Sequence, residues 1–199
     1  MIAGGIVLCG GKSSRMGTSK ALLQFGPETM LQRVVRLLGE VVGPIVAVAA
    51  IDQVLPELPP DVILTRDEHE GRGPLEGLRA GLKALPPHVD AAYVTSCDVP
   101  LLVPAFVQQM LALADGYDIA VIEVDGFAHP LSAVYRRSTL PHVEKLLAAD
   151  RLRPAFLFDA VQTRHVRREE MTADPELYTL QNLNTPEDYE KALTRLRAT

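Results

Sequence analysis

Apolar and β-branched runs alternate along this chain with stretches of helical periodicity. The runs Gly5–Cys9, Pro44–Ala50, Val62–Thr65, Ala91–Ser96, Asp118–Val124 and Leu131–Tyr135 read as strands. Several of them are apolar throughout, as strands covered on both faces are. Between them, Leu31, Val34, Val35 and Leu38 recur at helical spacing, as do Leu75, Leu78 and Leu82, and Phe106, Met110 and Leu113 after Pro104. This β-α-β-α rhythm predicts an α/β fold: a mostly parallel sheet with helices on both faces. The last sixty residues differ. Pro141, Pro154, Pro175 and Pro186 interrupt them, and they are expected to add a small antiparallel C-terminal part before a helix that starts at Pro186, behind a Thr185 cap.

Length and charge narrow the function. At 199 residues one domain is expected, with enough chain for a full core. A net charge of −5 disfavours general nucleic-acid binding, which needs clustered Lys and Arg. No apolar run approaches the ~20 residues of a membrane helix. The glycine loop described below starts so near Met1 that it leaves no room for a signal peptide, so a cytoplasmic location is expected. Two cysteines, Cys9 and Cys97, make no disulfide framework and read as buried thiols. The histidines show no metal-ligand spacing, which argues against zinc.

The densest chemistry follows the first strand, where residues 5–23 read GIVLCGGKSSRMGTSKALL. Gly10 and Gly11 let backbone N–H groups turn toward a ligand. Lys12, Arg15 and Lys20 add positive charge, and Ser13 and Ser14 add hydroxyls, a combination suited to polyphosphate. The loop is not a Walker motif, because Thr18 follows Gly17, and no Gly-x-Gly-x-x-Gly occurs. Asp98, in Ser96-Cys97-Asp98-Val99-Pro100, stands just past a buried strand and suits Mg²⁺, or else a helix-capping role. Asp67 opens the Gly-rich tract DEHEGRGPLEG, whose glycines permit close ligand approach; Glu68 and Glu70 read as acidic surface loop. Asn182 and Asn184 alternate onto one face and can bind ligand oxygens or serve as turn residues.

These tracts resemble the MobA-like nucleotidyltransferases. LCGGKSSRMGTSKALL is similar to L-A/C-G-G-x-S-x-R-M-G-x-D-K-x-L-L, with Ser19 where that signature has Asp. The tract from Asp67 to Gly77 resembles D-x-x-x-G-x-G-P-L-x-G, Cys97-Asp98-Val99-Pro100 resembles C-D-x-P, His129-Pro130-Leu131 resembles H-P-L, and residues 182–188 resemble N-L/I/V-N-T-P-E-D/E. The resemblance implies a Rossmann-like three-layer α/β/α sandwich and nucleotidyl transfer from an NTP. It implies catalytic roles for Arg15, Lys20 and Asp98. It implies nucleotide contacts at Leu8, Cys9, Gly10, Gly11, Lys20, Asp67, Gly73, Pro74, Leu75 and Asp98, with Mg²⁺ on Asp98. Acceptor contacts would fall to His129, Arg153, Asn182 and Asn184, with Arg151 and Arg153 in a basic segment. Residues 1–100 would bind the nucleotide and residues 101–199 the acceptor. Within the superfamily the motif set is most similar to molybdenum cofactor guanylyltransferases, which implies GTP and molybdopterin as substrates. Alternatives stay open. One is a cytidylyltransferase or an enzyme of sugar or alditol phosphates, since Ala49-Ala50-Ile51-Asp52 lacks the Asn that some members use on the nucleotide. The other is a non-catalytic nucleotide sensor.

Overall fold

In the computed structural model, which describes residues 1–10 and 19–198, the runs become strands almost as spaced. In order along the chain they are β1 (Ala3–Leu8), β2 (Gln24–Phe25), β3 (Glu28–Thr29), β4 (Ile45–Ala49), β5 (Ile63–Arg66), β6 (Ala91–Ser96), β7 (Ile119–Val124), β8 (Phe127–Arg136) and β9 (Thr163–Arg167). The helices are α1 (Met30–Gly39), α2 (Gly73–Ala84), α3 (Pro104–Leu113), α4 (Leu140–Ala148), α5 (Ala155–Phe158) and α6 (Pro186–Ala198). β2 and β3 form a separate two-stranded antiparallel sheet.

The other strands make one seven-stranded sheet in the order β5-β4-β1-β6-β8-β7-β9. β8 is antiparallel to both its neighbours, and every other pairing is parallel. The fold is therefore the expected mostly parallel α/β sheet, with its antiparallel pairing in the C-terminal half. The last sixty residues extend that sheet through β9, which runs parallel to β7. β8 begins earlier than expected and takes in His129 and Pro130. Its pairing with β7 shifts register between Val121 and Glu123, so residues 129–132 bulge where Pro130 offers no N–H to a ladder.

Alternation along β1 sorts the two cores. Val7 and Cys9 face one side with Leu31, Val34 and Leu38 of α1 and Phe106 and Met110 of α3. Ile6 and Leu8 face the other side with Leu75, Leu78 and Leu82 of α2 and residues of α4 and α5. The α2 contact is close because α2 carries glycine there. A Cβ on Gly81 would lie 2.6 Å from Ile6 Cγ2, and one on Gly77 would lie 3.1 Å from Leu8 Cδ2. Gly77 thus serves helix-on-strand packing rather than the ligand approach expected of it. A third cluster joins Phe25, Met30, Leu183 and Ala192, which seats α6 against the β2–β3 hairpin.

The chain leaves β1 toward β4 and β5 on one side, while β6 leads toward β7, β8 and β9 on the other. The carboxyl ends of β1 and β6 therefore flank the point where strand order reverses, and such points open as crevices. No helix among the described residues is long and apolar enough to cross a membrane.

Candidate active site

Lys20 sits at the start of a short 3-10 turn (Lys20–Leu22) just after the glycine-rich loop. Its ammonium reaches across the crevice. Nζ lies 2.7 Å from Asp98 Oδ2, beyond the end of β6, and 2.7 Å from Asn184 Oδ1. The other Asp98 oxygen accepts the Ser96 hydroxyl. The Lys20 and Asp98 side chains are only 17% and 14% exposed, so this ion pair is shielded from bulk water.

The C-terminal tract is not the strand end that would put Asn182 and Asn184 on one face: residues 181–184 form neither strand nor helix. Leu183 buries its side chain in the third core cluster and donates its N–H to Asp98 O at 2.9 Å. Both asparagines are exposed, and it is Asn184 that accepts from Lys20. Thr185 and Asp188 cap α6 reciprocally: Thr185 Oγ1 accepts from Asp188 N, and Asp188 Oδ2 accepts from Asn184 N and Thr185 N.

On the opposite wall stands Asp67, past the end of β5. Its N–H donates to Ala49 O, and a Cβ on Gly10 would lie 3.3 Å from its Oδ2. Its Oδ1 is buried with no hydrogen-bond partner among the described residues. Burial, and then the neighbouring Glu76 charge, push this carboxyl up to about 6, against a smaller opposing pull from Arg79. Glu76 lies beneath the loop and is almost fully buried. It accepts the N–H groups of Glu68 and His69 and the Arg79 guanidinium. Burial alone would raise Glu76, but the Arg79 hydrogen bond and charge outweigh it and hold the carboxyl below its usual range. Arg79 and Lys83 also pair with Glu68 and draw that exposed carboxyl down to about 2.

Several expected contacts change in kind. Leu8, Cys9 and Leu75 are buried in the cores, so only their backbone could meet a nucleotide. Cys9 cannot offer its N–H, which donates to Val48 O at 2.8 Å; Gly10 is the first residue past that ladder. The Cys9 thiol is buried, and a hydrogen bond with Cys97 and burial raise it well above its ordinary value, which disfavours the thiolate. Gly73 takes φ +68, which favours glycine, at the start of α2, with Pro74 behind it. Gly11 and Arg15, with Lys12, Ser13 and Ser14, lie outside the described residues.

Two further acceptor candidates belong to the C-terminal half of the chain. Arg153 is exposed and lines an open cavity of about 410 Å³, together with Phe127, Pro130, Phe158 and His165. His129, next to Pro130, is half-buried, and burial lowers its imidazole below the usual value. Arg151 stacks over the Phe156 ring at 3.9 Å from its centroid. Sequence reasoning missed Gln53 and Glu76. Gln53 lies outside every motif, Glu76 stands at an unspecified position of the tract from Asp67 to Gly77, and only its place on α2 beside Leu75 hinted at burial.

A doubly wound sheet with a cation, a carboxylate and an amide gathered at its switch point is the frame of a nucleotide-handling α/β enzyme. Comparison with known proteins sharpens that class. Residues 5–166 match the model of the MobA-like NTP transferase domain, and the chain belongs to that family of nucleotidyltransferases. A protein of Carboxydothermus hydrogenoformans named "Probable molybdenum cofactor guanylyltransferase" is 35% identical over 94% of this chain and 93% of its own. One of the same name from Methanosarcina acetivorans is 36% identical over 94% of this chain and 88% of its own. The crystal structure of molybdopterin-guanine dinucleotide biosynthesis protein A from Archaeoglobus fulgidus superposes over the whole of both chains with a TM-score of 0.81 at 20% identity, which shows a shared fold.

Proposed function

We propose that this chain transfers GMP from GTP to the terminal phosphate of molybdopterin, forming the guanine dinucleotide and releasing pyrophosphate. The observation that carries this reading is the Lys20 ammonium held between Asp98 Oδ2 and Asn184 Oδ1, at the mouth between β1 and β6. The names of the relatives supply the substrates.

Mg²⁺ fits the donor set. Asp98 and Asn184 already converge hard oxygens on one cation, the lysine. No three His, Cys, Asp or Glu side chains among the described residues form a metal cage, and Mg²⁺ favours one or two carboxylates completed by water and substrate phosphates. Asp98, helped by Asn184, would hold it. Bound there, it would neutralise phosphate oxygens.

The rest of the work belongs to the chain. An oxygen of the acceptor's phosphate attacks the α-phosphorus of GTP. The bond from that phosphorus to the β-bridging oxygen breaks, and its electrons leave with pyrophosphate. A phosphate nucleophile needs no general base, so the protein's task is orientation and charge stabilisation. Lys20 and Arg15 neutralise the β- and γ-phosphates. Gly10 and Gly11 approach them with backbone. Asp67, Gly73, Pro74 and Leu75 border the nucleoside. Asn182, His129 and Arg153 guide the acceptor from the C-terminal half, within one domain of a cytoplasmic enzyme.

Transfer of label from [α-³²P]GTP, set beside [α-³²P]CTP, onto molybdopterin tests this. GTP-dependent labelling that disappears in Asp98→Ala is expected. Preference for CTP would overturn the guanylyl assignment, which the missing Asn after β4 makes the decisive comparison. No transfer from any NTP would overturn the enzyme.

A further inference from the structure

One side chain outside every motif ties the site's first wall together. Gln53 lies in the turn after β4, and its amide makes three hydrogen bonds. Nε2 donates to Cys9 O at 2.8 Å and to Ser19 Oγ at 3.1 Å, while Oε1 accepts from Ala50 N at 3.0 Å. Cys9 and Ser19 border the glycine-rich loop on either side, so a single amide spans its two ends. The turn that presents Gln53 is itself braced from β5. One Arg66 nitrogen, Nη1, donates to the carbonyls of Ala50, Ile51 and Gln53 at 2.7, 2.9 and 3.1 Å. Ser19 directly precedes Lys20, whose ammonium holds Asp98 and Asn184.

We infer that Gln53 is a positioning residue for Lys20: its amide clasps the ends of the phosphate loop and fixes where the lysine side chain starts. Ser19 is then a functional partner rather than a defect in the loop. Its hydroxyl oxygen gives the Gln53 amide the acceptor it needs one residue before the lysine. Gln53 touches neither phosphate nor metal in this role. It acts through the backbone at residues 9 and 19. The inference rests on the proposed role of Lys20 in binding the triphosphate.

Gln53→Ala, Ser19→Ala, the double variant and Lys20→Ala form the test, read by calorimetric GTP affinity, by KM and kcat for label transfer, and by thermal melting. Losing bonds of ordinary strength should weaken GTP binding in Gln53→Ala by about tenfold, through KM, with kcat changed less than about threefold. Ser19→Ala should lose about threefold by itself and add nothing to Gln53→Ala, because the two groups share one bond. Unchanged GTP affinity in Gln53→Ala beside a loss in Lys20→Ala would overturn the clasp and leave the proposed function standing. A lowered melting temperature with unchanged affinity would do the same, as would additive losses in the double variant. Full GTP affinity in Lys20→Ala would instead remove the reading on which the clasp depends.

Discussion

Replacing Lys20 with Met should lower stability and turnover while raising affinity for a divalent ion. In the free protein the lysine neutralises a shielded carboxylate at 2.7 Å. Exposed pairs contribute under about 1 kcal/mol, while breaking a fully buried one costs about 3–5. This pair lies between those limits, and Ser96 still hydrogen-bonds Asp98 after the change. A stability loss of about 1–2 kcal/mol is therefore expected in urea unfolding. The effect on nucleotide is larger. One unit charge about 4 Å from a phosphate is worth about 4 kcal/mol at an effective dielectric of 20. Part of that is offset, because Lys20 must loosen its hold on Asp98 to meet the phosphate. A net 2–3 kcal/mol remains, or a fall in kcat/KM of about a hundredfold, since each 1.4 kcal/mol is tenfold. Meanwhile the uncovered Asp98 should bind a divalent ion more tightly in nucleotide-free protein. Mn²⁺ titration followed by electron paramagnetic resonance reads that gain, and pyrophosphate release reads the loss. A Lys20→Met protein with kcat/KM within about threefold of the parent would refute the phosphate role. Weaker Mn²⁺ binding would refute the competition between lysine and metal.

Other expectations follow from single contacts. The Asp67 carboxyl, raised to about 6, holds its proton in the folded state above the pH at which the unfolded chain releases it. Its contribution to stability is complete below its ordinary value of 3.8 and is lost as pH rises through about 6, and GTP binding that uses the carboxylate should strengthen across the same interval. Glu76→Gln removes a negative neighbour, so the midpoint of the pH profile of KM for GTP should move down; a midpoint that stays or rises would count against this coupling. Gly81→Ala puts a methyl 2.6 Å from Ile6 Cγ2. Overpacking of about 1–3 kcal/mol should exceed the helix-propensity gain of about 1, so the urea midpoint should fall, and a rise would disprove the tight α2–β1 contact. Thr29→Ala breaks a capping box in which Thr29 Oγ1 accepts from Gln32 N and Gln32 Oε1 accepts from Thr29 N. A loss of about 1 kcal/mol in chemical unfolding is expected.

The sheet's interior was legible because burial on both faces leaves an unbroken apolar run. Ala91–Ser96 reads as a strand with its true ends, and Gly5–Cys9 overlaps β1. β9 was not legible, because only Val166 is buried among Thr163, Arg164, His165 and Arg167, so an edge strand looks like polar loop. β2 and β3 have two residues each, too few to show a period. Helix α4 could have been read from Val143, Leu146 and Leu147, but Pro141 looked like an interruption. It sits in the first turn, where proline's missing N–H costs nothing. In the site, Lys20, Asp98 and Asn184 were found because each stands in a recognisable tract. The hydrogen bonds that connect them depend on tertiary contacts across 78 and 164 residues, which no local pattern encodes.

Those separations explain why the site needs its C-terminal wall. Lys20 and Asp98 follow adjacent parallel strands, whose register sets Leu8 beside Ser96. Asn184 has no strand to deliver it. It arrives because Leu183 finds a core of Phe25, Met30 and Ala192, and because the Leu183 N–H finds the carbonyl of Asp98 itself. The residue that would hold metal with its side chain thus holds the acceptor-side tract with its backbone. A change that loosens Leu183, such as Leu183→Ala, should reach the site as a displaced Asn184 before it reaches the sheet, whose two large cores do not include Leu183. Activity should then fall at temperatures where the far-ultraviolet circular dichroism still reports a folded sheet. Loss of both signals in a single step would show that the tract and the sheet unfold as one unit.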